Sequence, residues 1–277
     1  MYQDRTVMIM LDRITFTGAD DSTDHEGLFA LLDAYPLAEA GILLGNHEGS
    51  PRFPGLAWLE GLLEHCQEKE SRLQRQRLSL HLCGRWTEMF LSSRLGSNCG
   101  LDALLARYKN VFGRLQLNTH GEIHSIRMPD LLHNLSFVAD RCIEVIFQRD
   151  GVNDDLFDWV RWTMSQGRSH GHLKVSTLFD LSHGAGKQAA ELQKPIQGVY
   201  CGYAGGFSPE NIGENLRQID ELMAQHGTTT YWVDAETWLM SPDTHRLSLQ
   251  RAGQYLEVAS EHVTRHVRAE FERMRAT

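Results

Sequence analysis

Short apolar runs recur along this chain about every thirty residues, each followed by polar or glycine residues and then a stretch with helical periodicity. In order they are "ITFTG" (14–18), "AGILLG" (40–45), "LSLHLCG" (78–84), "RLQLN" (114–118), "CIEVIF" (142–147), "KVSTLFD" (174–180), "GVYCGYAGG" (198–206) and "TYWVDAE" (230–236). The intervening segments place apolar residues on one helical face. "DHEGLFALLDAY" does so with Leu28, Leu31 and Leu32, and "DDLFDWVRWTM" with Leu156, Trp159 and Val160. "SPENIGENLRQIDELMAQHG" reads as a helix with Ser208 as N-cap, Pro209 in the first turn and Gly227 at its end.

Strands that alternate with helices pair in parallel, because each crossover must return the chain to the same end of the sheet. Eight such units in 277 residues fit a closed (β/α)8 TIM barrel, an α/β fold of one domain over residues 1–277, better than an open doubly wound sheet. An open sheet of six or seven strands is the alternative, and 114–118 is the weakest strand. Residues 1–12 form an N-terminal extension that could close the barrel floor, and residues 243–277 form the eighth helix and a charged tail.

Bulk composition narrows the partners. A formal net charge of −9 argues against nucleic acid or an anionic membrane surface. No apolar run approaches the roughly 18–20 residues that cross a bilayer, and "VMIML" is too short for a signal segment. A cytoplasmic protein, monomer or homodimer, is expected. The five cysteines (66, 83, 99, 142 and 201) are odd in number and have no C-x-x-C spacing, so neither a disulfide framework nor a structural zinc site is expected.

In a (β/α)8 barrel, the strand C-termini and the loops after them carry the chemistry. Asp180 ends the sixth strand, where burying a carboxylate is costly without a purpose; capping a turn is its other reading. Glycine-rich turns follow the sixth and seventh strands, "SHGAGK" (182–187) and "YAGGFSPEN" (203–211). Bare backbone amides and the start of a helix favour an anion there. Gly184, Gly186, Gly205 and Gly206, with Lys187 as an added charge, are therefore candidate phosphate ligands.

"FDLSHGAGK", "GYAGGFSPENI" and "VDAET" resemble the last three units of the phosphoribosylanthranilate isomerases, (β/α)8 enzymes of tryptophan biosynthesis. "GILLGNHEGSPR" and "LQLNTHG" are weaker echoes of that family's second and fourth units, and residues 178–211 are the specific part. The resemblance implies Asp180 as general acid, backbone phosphate binding at Gly184, Gly186, Gly205 and Gly206, and Arg52 facing a substrate carboxylate. The implied chemistry is an Amadori rearrangement, in which an acid protonates the sugar ring oxygen and a base takes the C2 proton.

Two positions depart from the family. Thr17 stands where its catalytic cysteine ends the first strand, and Trp238 stands where it has a glycine. A threonine hydroxyl is too weak an acid to serve unaided as the base. Cys83 and Asp20 are the alternative bases, although Asp20, Asp21 and Asp24 also suit a helix N-terminus. His81, His120 and Asp234 are expected to border the substrate. His81 and His120 with Asp180 have the donor types of a mononuclear metal site, but no metal and no other cofactor is the expectation. The sequence thus points to an isomerase of the aldose–ketose or Amadori type acting on a phosphorylated small molecule. A divergent, metal-assisted epimerase or lyase and a non-catalytic phosphate-binding barrel are the alternatives.

Overall fold

A computed structural model describes residues 9–68, 77–96, 100–107, 111–119, 126–139, 144–166, 173–180 and 191–276. Eight parallel strands close on one another in sequence order. They are β1 (Met10–Thr17), β2 (Ala38–Leu44), β3 (Leu78–Leu82), β4 (Arg114–Leu117), β5 (Glu144–Arg149), β6 (Lys174–Phe179), β7 (Cys201–Ala204) and β8 (Thr230–Ala235). The weakest run, β4, pairs with β3 on one side and β5 on the other, and β1 pairs with β8 to shut the barrel.

Around the strands lie α1 (His25–Ala34), α2 (Leu56–Glu68), α3 (Arg85–Ser92), α4 (Gly100–Arg107), α5 (Met128–Val138), α6 (Asp154–Ser165), α7 (Ile212–Gln225) and α8 (Leu249–Ala276). Helices α1, α6 and α8 pack on β2, β5 and β1, respectively, and α7 shows the apolar stripe that such packing buries. In α7 that stripe is Ile212, Leu216, Ile219 and Met223, all fully buried, at the spacing of one helical face. No helix among the described residues is long and apolar enough to cross a membrane.

The structure redraws three details of the sequence reading. Residues 10–12, placed in an extension by the sequence reading, belong with Arg13 to β1. Their charges hid the strand, and those charges are spent inside it: Arg13 pairs with Glu39 at 2.6 Å and Asp12 accepts from the Tyr200 hydroxyl. The crossover from β3 to β4 holds two short helices, α3 and α4. Finally, α7 starts one turn later than Ser208 suggested. Ser208–Asn211 is a turn, with the Ser208 carbonyl accepting from the Asn211 and Ile212 amides, and Asn211 is the cap. At its far end Gly227, at φ 64°, closes the helix as expected, and the Thr228 amide reaches back to the Met223 carbonyl.

The interior is layered. Near the strand N-termini, Arg114 is only 2% exposed and pairs with Glu39 at 3.0 Å and Glu144 at 3.6 Å. Thr15 also donates to Glu39 at 2.9 Å. Burial raises the Glu39 carboxyl, but the Arg114 and Arg13 guanidiniums overcome it and hold its pKa below the ordinary value. Above this ionic floor sits an apolar plug of Ile146, Leu178 and Trp232. The Trp232 ring has the Arg114 guanidinium 4.4 Å from its centroid and the Tyr200 ring at 4.5 Å.

Gly202 on β7 makes room for that indole. A Cβ there would lie 2.1 Å from Trp232 Cε2 and 2.4 Å from Cζ2. Gly202→Ala should therefore destabilise the barrel by about 1–3 kcal/mol, the usual cost of overpacking, measured as a lowered midpoint in denaturant unfolding. An unchanged midpoint would contradict the packing described for Trp232.

Candidate functional site

A cavity of about 160 Å³ opens at the C-terminal ends of the strands. Its wall takes at least one side chain or loop from β2 through β8 and sets carboxyl and carboxamide groups among apolar ones, above a plug that is apolar throughout. Alternation along each strand explains this. Trp232 plugs the barrel, Asp234 two residues on enters the cavity, and Glu236 two further on reaches its rim.

Three carboxyl groups line this space: Asp180, Asp234 and Glu236. Asp234 is 7% exposed and accepts from the Thr17 hydroxyl at 2.8 Å. Gly41 permits the approach, because a Cβ there would stand 2.1 Å from Thr17 Oγ1 and 2.7 Å from His81 Cε1. Burial raises the Asp234 pKa well above the ordinary value. The Thr17 hydrogen bond opposes the shift, while the charges of Glu236, Glu39 and Asp180 add to it. Glu236 is likewise raised by burial and by Asp180, against the pull of Arg52, with which it forms an ion pair.

Carboxamides fix the remaining wall. Gln148 donates through Nε2 to Asp180 Oδ2 at 2.8 Å, and the Asp180 amide donates to the Arg149 carbonyl at 3.0 Å. Gln116 donates to Asn118 Oδ1 at 2.8 Å and lies 3.4 Å from His81 Nδ1, and Asn118 donates to Cys83 Sγ at 3.2 Å. Burial pushes His81 down to about 3, with Glu39 and Arg114 acting in opposite senses, so the imidazole is neutral. Burial, aided by the Glu236 charge, pushes the Cys83 thiol up to about 12 despite the Asn118 hydrogen bond and the Arg52 charge. At neutral pH Cys83 is a thiol and offers no base.

The glycine turn after β7 completes the rim. Gly205 and Gly206 adopt φ of 109° and 72°, which a side chain would strain. Asn211 pins the turn by donating to the Gly206 carbonyl and accepting from the Ser208 amide, both at 2.8 Å. Among the described residues the Gly205 and Gly206 amides have no backbone partner.

Of the residues singled out in the sequence, Asp180, Cys83, Arg52, His81, Asp234, Gly205 and Gly206 line this cavity, and Thr17 touches it through Asp234. Gly184, Gly186, Lys187 and His120 lie outside the described residues. Asp20 is not in the wall. Its carboxylate accepts from the Ser22 amide and hydroxyl, the Arg52 amide and Arg246 Nη1, all within 3.0 Å. These partners outweigh burial and hold its pKa below the ordinary value, so the geometry makes it an anchor for Arg52. Asp21 accepts from the Gly55 amide, and Asp24 caps α1 through the Gly27 amide.

Glu236 and Gln148 were missed. Each stands an even number of residues along the strand from an inward-facing neighbour, Asp234 and Ile146, and that period was the available signal. Among the described residues no three His, Cys, Asp or Glu side chains group to hold a metal ion.

Fold and site together define a (β/α)8 barrel with a cavity at its mouth lined by three carboxyl groups. No known protein family matches the chain, and no curated protein matches it. Among solved structures it is similar to the phosphoribosyl anthranilate isomerase from Thermococcus kodakaraensis, with 13% sequence identity and a TM-score of 0.44, over 90% of this chain and 99% of that one. A likeness of that extent does not reach activity, and the barrel rests on the strand pairing of this chain.

The thiol environment gives a direct check. At pH 8 the Cys83 peptide of native protein should be alkylated by iodoacetamide at least tenfold more slowly than in the unfolded chain, read by mass spectrometry. Equal rates would mean that Cys83 carries a thiolate and is available as a base.

Proposed function

We propose that this barrel is an isomerase of the aldose–ketose or Amadori type, acting on a phosphorylated sugar-type metabolite by carboxyl acid–base chemistry. The observation that carries this reading is the convergence of Asp180 and Asp234 on one cavity in different surroundings. Asp180 is held by a carboxamide donor at 2.8 Å, and Asp234 is buried against a hydroxyl with its pKa well raised. Titratable neighbours whose surroundings push their proton affinities apart suit paired acid and base roles.

The sequence reading gave the acid to Asp180. The surroundings favour dividing the work differently. Asp234 holds the proton and delivers it to the ring or carbonyl oxygen of the substrate, while Asp180 takes the proton from the adjacent carbon. Protonation of a ring oxygen breaks the C1–O bond with an electron pair from the anomeric heteroatom, the C2 proton goes to Asp180, and the resulting enol is protonated at C1 as its hydroxyl proton leaves, so the product is an isomer of the substrate. Thr17, in place of a cysteine, then serves as a positioning residue that orients Asp234. Neutral His81 and the carboxamides of Gln116 and Asn118 order the wall without adding charge.

The amides of Gly205 and Gly206 would bind the phosphate, joined by Gly184, Gly186 and Lys187. Backbone donors suit a dianion in a mouth whose side chains are mainly acidic.

Two variants test the chemistry. Asp180→Asn and Asp234→Asn should each lower turnover of aldose or aminoaldose phosphates by about 10²–10⁴-fold, the usual contribution of a general acid or base. Ligand affinity by calorimetry should be retained. Full activity in either variant would remove that residue from the reaction. For the cradle, Gly206→Val should weaken inorganic phosphate binding about tenfold or more, because a side chain at this φ blocks the backbone approach. Unchanged affinity would place the phosphate elsewhere.

A further inference from the structure

The geometry points to Glu236 as a specificity residue that occupies the guanidinium of Arg52 and bars a substrate carboxylate from this mouth, in favour of an uncharged hydrogen-bond donor. The inference deepens the reading above, since it concerns the substrate class of the same cavity.

Arg52 is fixed from two sides. Its backbone sits at φ 77° with its amide donating to Asp20 Oδ2 at 3.0 Å, and Asp20 is itself clamped by Arg246 at 2.9 Å. Its guanidinium meets the Glu236 carboxylate, which the end of β8 projects across the cavity. An incoming carboxylate would have to displace an internal one of equal charge, held at high effective concentration and already ordered. It would also enter a space that Asp180 and Glu236 already line, where a further negative charge is repelled.

The hydrogen bonds of the wall point the same way. The amide nitrogens of Gln116, Asn118 and Gln148 all donate to protein atoms. Gln148 Oε1 is buried and has no hydrogen-bond partner among the described residues. Exchanging its oxygen and nitrogen would set a carbonyl against the Asp180 carboxylate, so the acceptor stays where it is. A buried acceptor of this kind costs stability until a donor arrives. Arg52 Nε is likewise buried without a hydrogen-bond partner among the described residues, so the wall holds an open acceptor and an open donor beside the Arg52–Glu236 pair, and a hydroxyl on the ligand, which both donates and accepts, fits them.

The test uses benzoate and its uncharged counterpart benzyl alcohol, followed by calorimetry and by the Arg52 Nε–H resonance of the full chain. In wild type, benzoate should leave that resonance unmoved. In Glu236→Gln, benzoate should bind about tenfold more tightly than in wild type, shifting the Arg52 signal, and benzyl alcohol should show no such gain. Adding Arg52→Gln should abolish the difference. A wild-type Arg52 signal that moves with benzoate overturns the assignment, and so does equal benzoate affinity in wild type and Glu236→Gln. If Glu236→Gln does not fold, the wild-type titration decides alone. None of these readouts needs phosphate or turnover, so a chain inactive on every sugar phosphate would refute the proposed reaction without touching this inference.

Discussion

The hydroxyl of Thr17 donates to a carboxyl group, Asp234, that water barely reaches, while Gly41 on the neighbouring strand leaves room for Thr17 on its other side. One neutral donor cannot compensate a full charge in such a place. Asp180 and Glu236 share the same cavity, and each makes ionisation of Asp234 harder still. The mouth relieves the conflict in two ways: Glu236 takes Arg52 as its counter-charge, and burial raises the proton affinity of Asp234. The proposed chemistry depends on that uneven settlement, because three fully ionised carboxylates would leave no acid to deliver a proton.

Floor and mouth are electrically joined. Glu39 is paid off by two arginines below the apolar plug, yet its charge is still felt at His81 and Asp234 above it. Trp232 separates the two layers and stacks against both Arg114 and Tyr200. The plug covers the inner side of the floor, where Glu39 and Arg114 are almost fully buried. Rigid elements rather than loops thus carry Asp234, His81, Gln116 and Gln148, which is the placement that holds reacting groups to close tolerance.

The barrel was legible because parallel strands buried on both faces read as apolar runs, and eight of them recur in phase. What the runs concealed was the charged interior. Asp12, Arg13 and Glu39 lie in strands whose sequence looks interrupted at those points, and only their partners across the barrel explain them. Asp180 was legible from its place at a strand end beside glycine. Asp20 was misleading for a related reason: a carboxylate just past a strand can as readily hold a loop, and its partners Arg52 and Arg246 are distant in sequence. Glu236 could be seen only by continuing the strand's two-residue period past its end, and its pairing with Arg52 is a tertiary fact that no local pattern encodes.

The protonation state of Asp234 is the most direct test of this account. Carbon-13 labelling of aspartate carboxyls, with Asp234→Asn to assign the resonance, would follow that single group through a pH titration. The account predicts the shift of a neutral carboxylic acid at pH 7, with ionisation only above it. A resonance already that of a carboxylate at pH 7, titrating near the ordinary aspartate value of about 4, would contradict it.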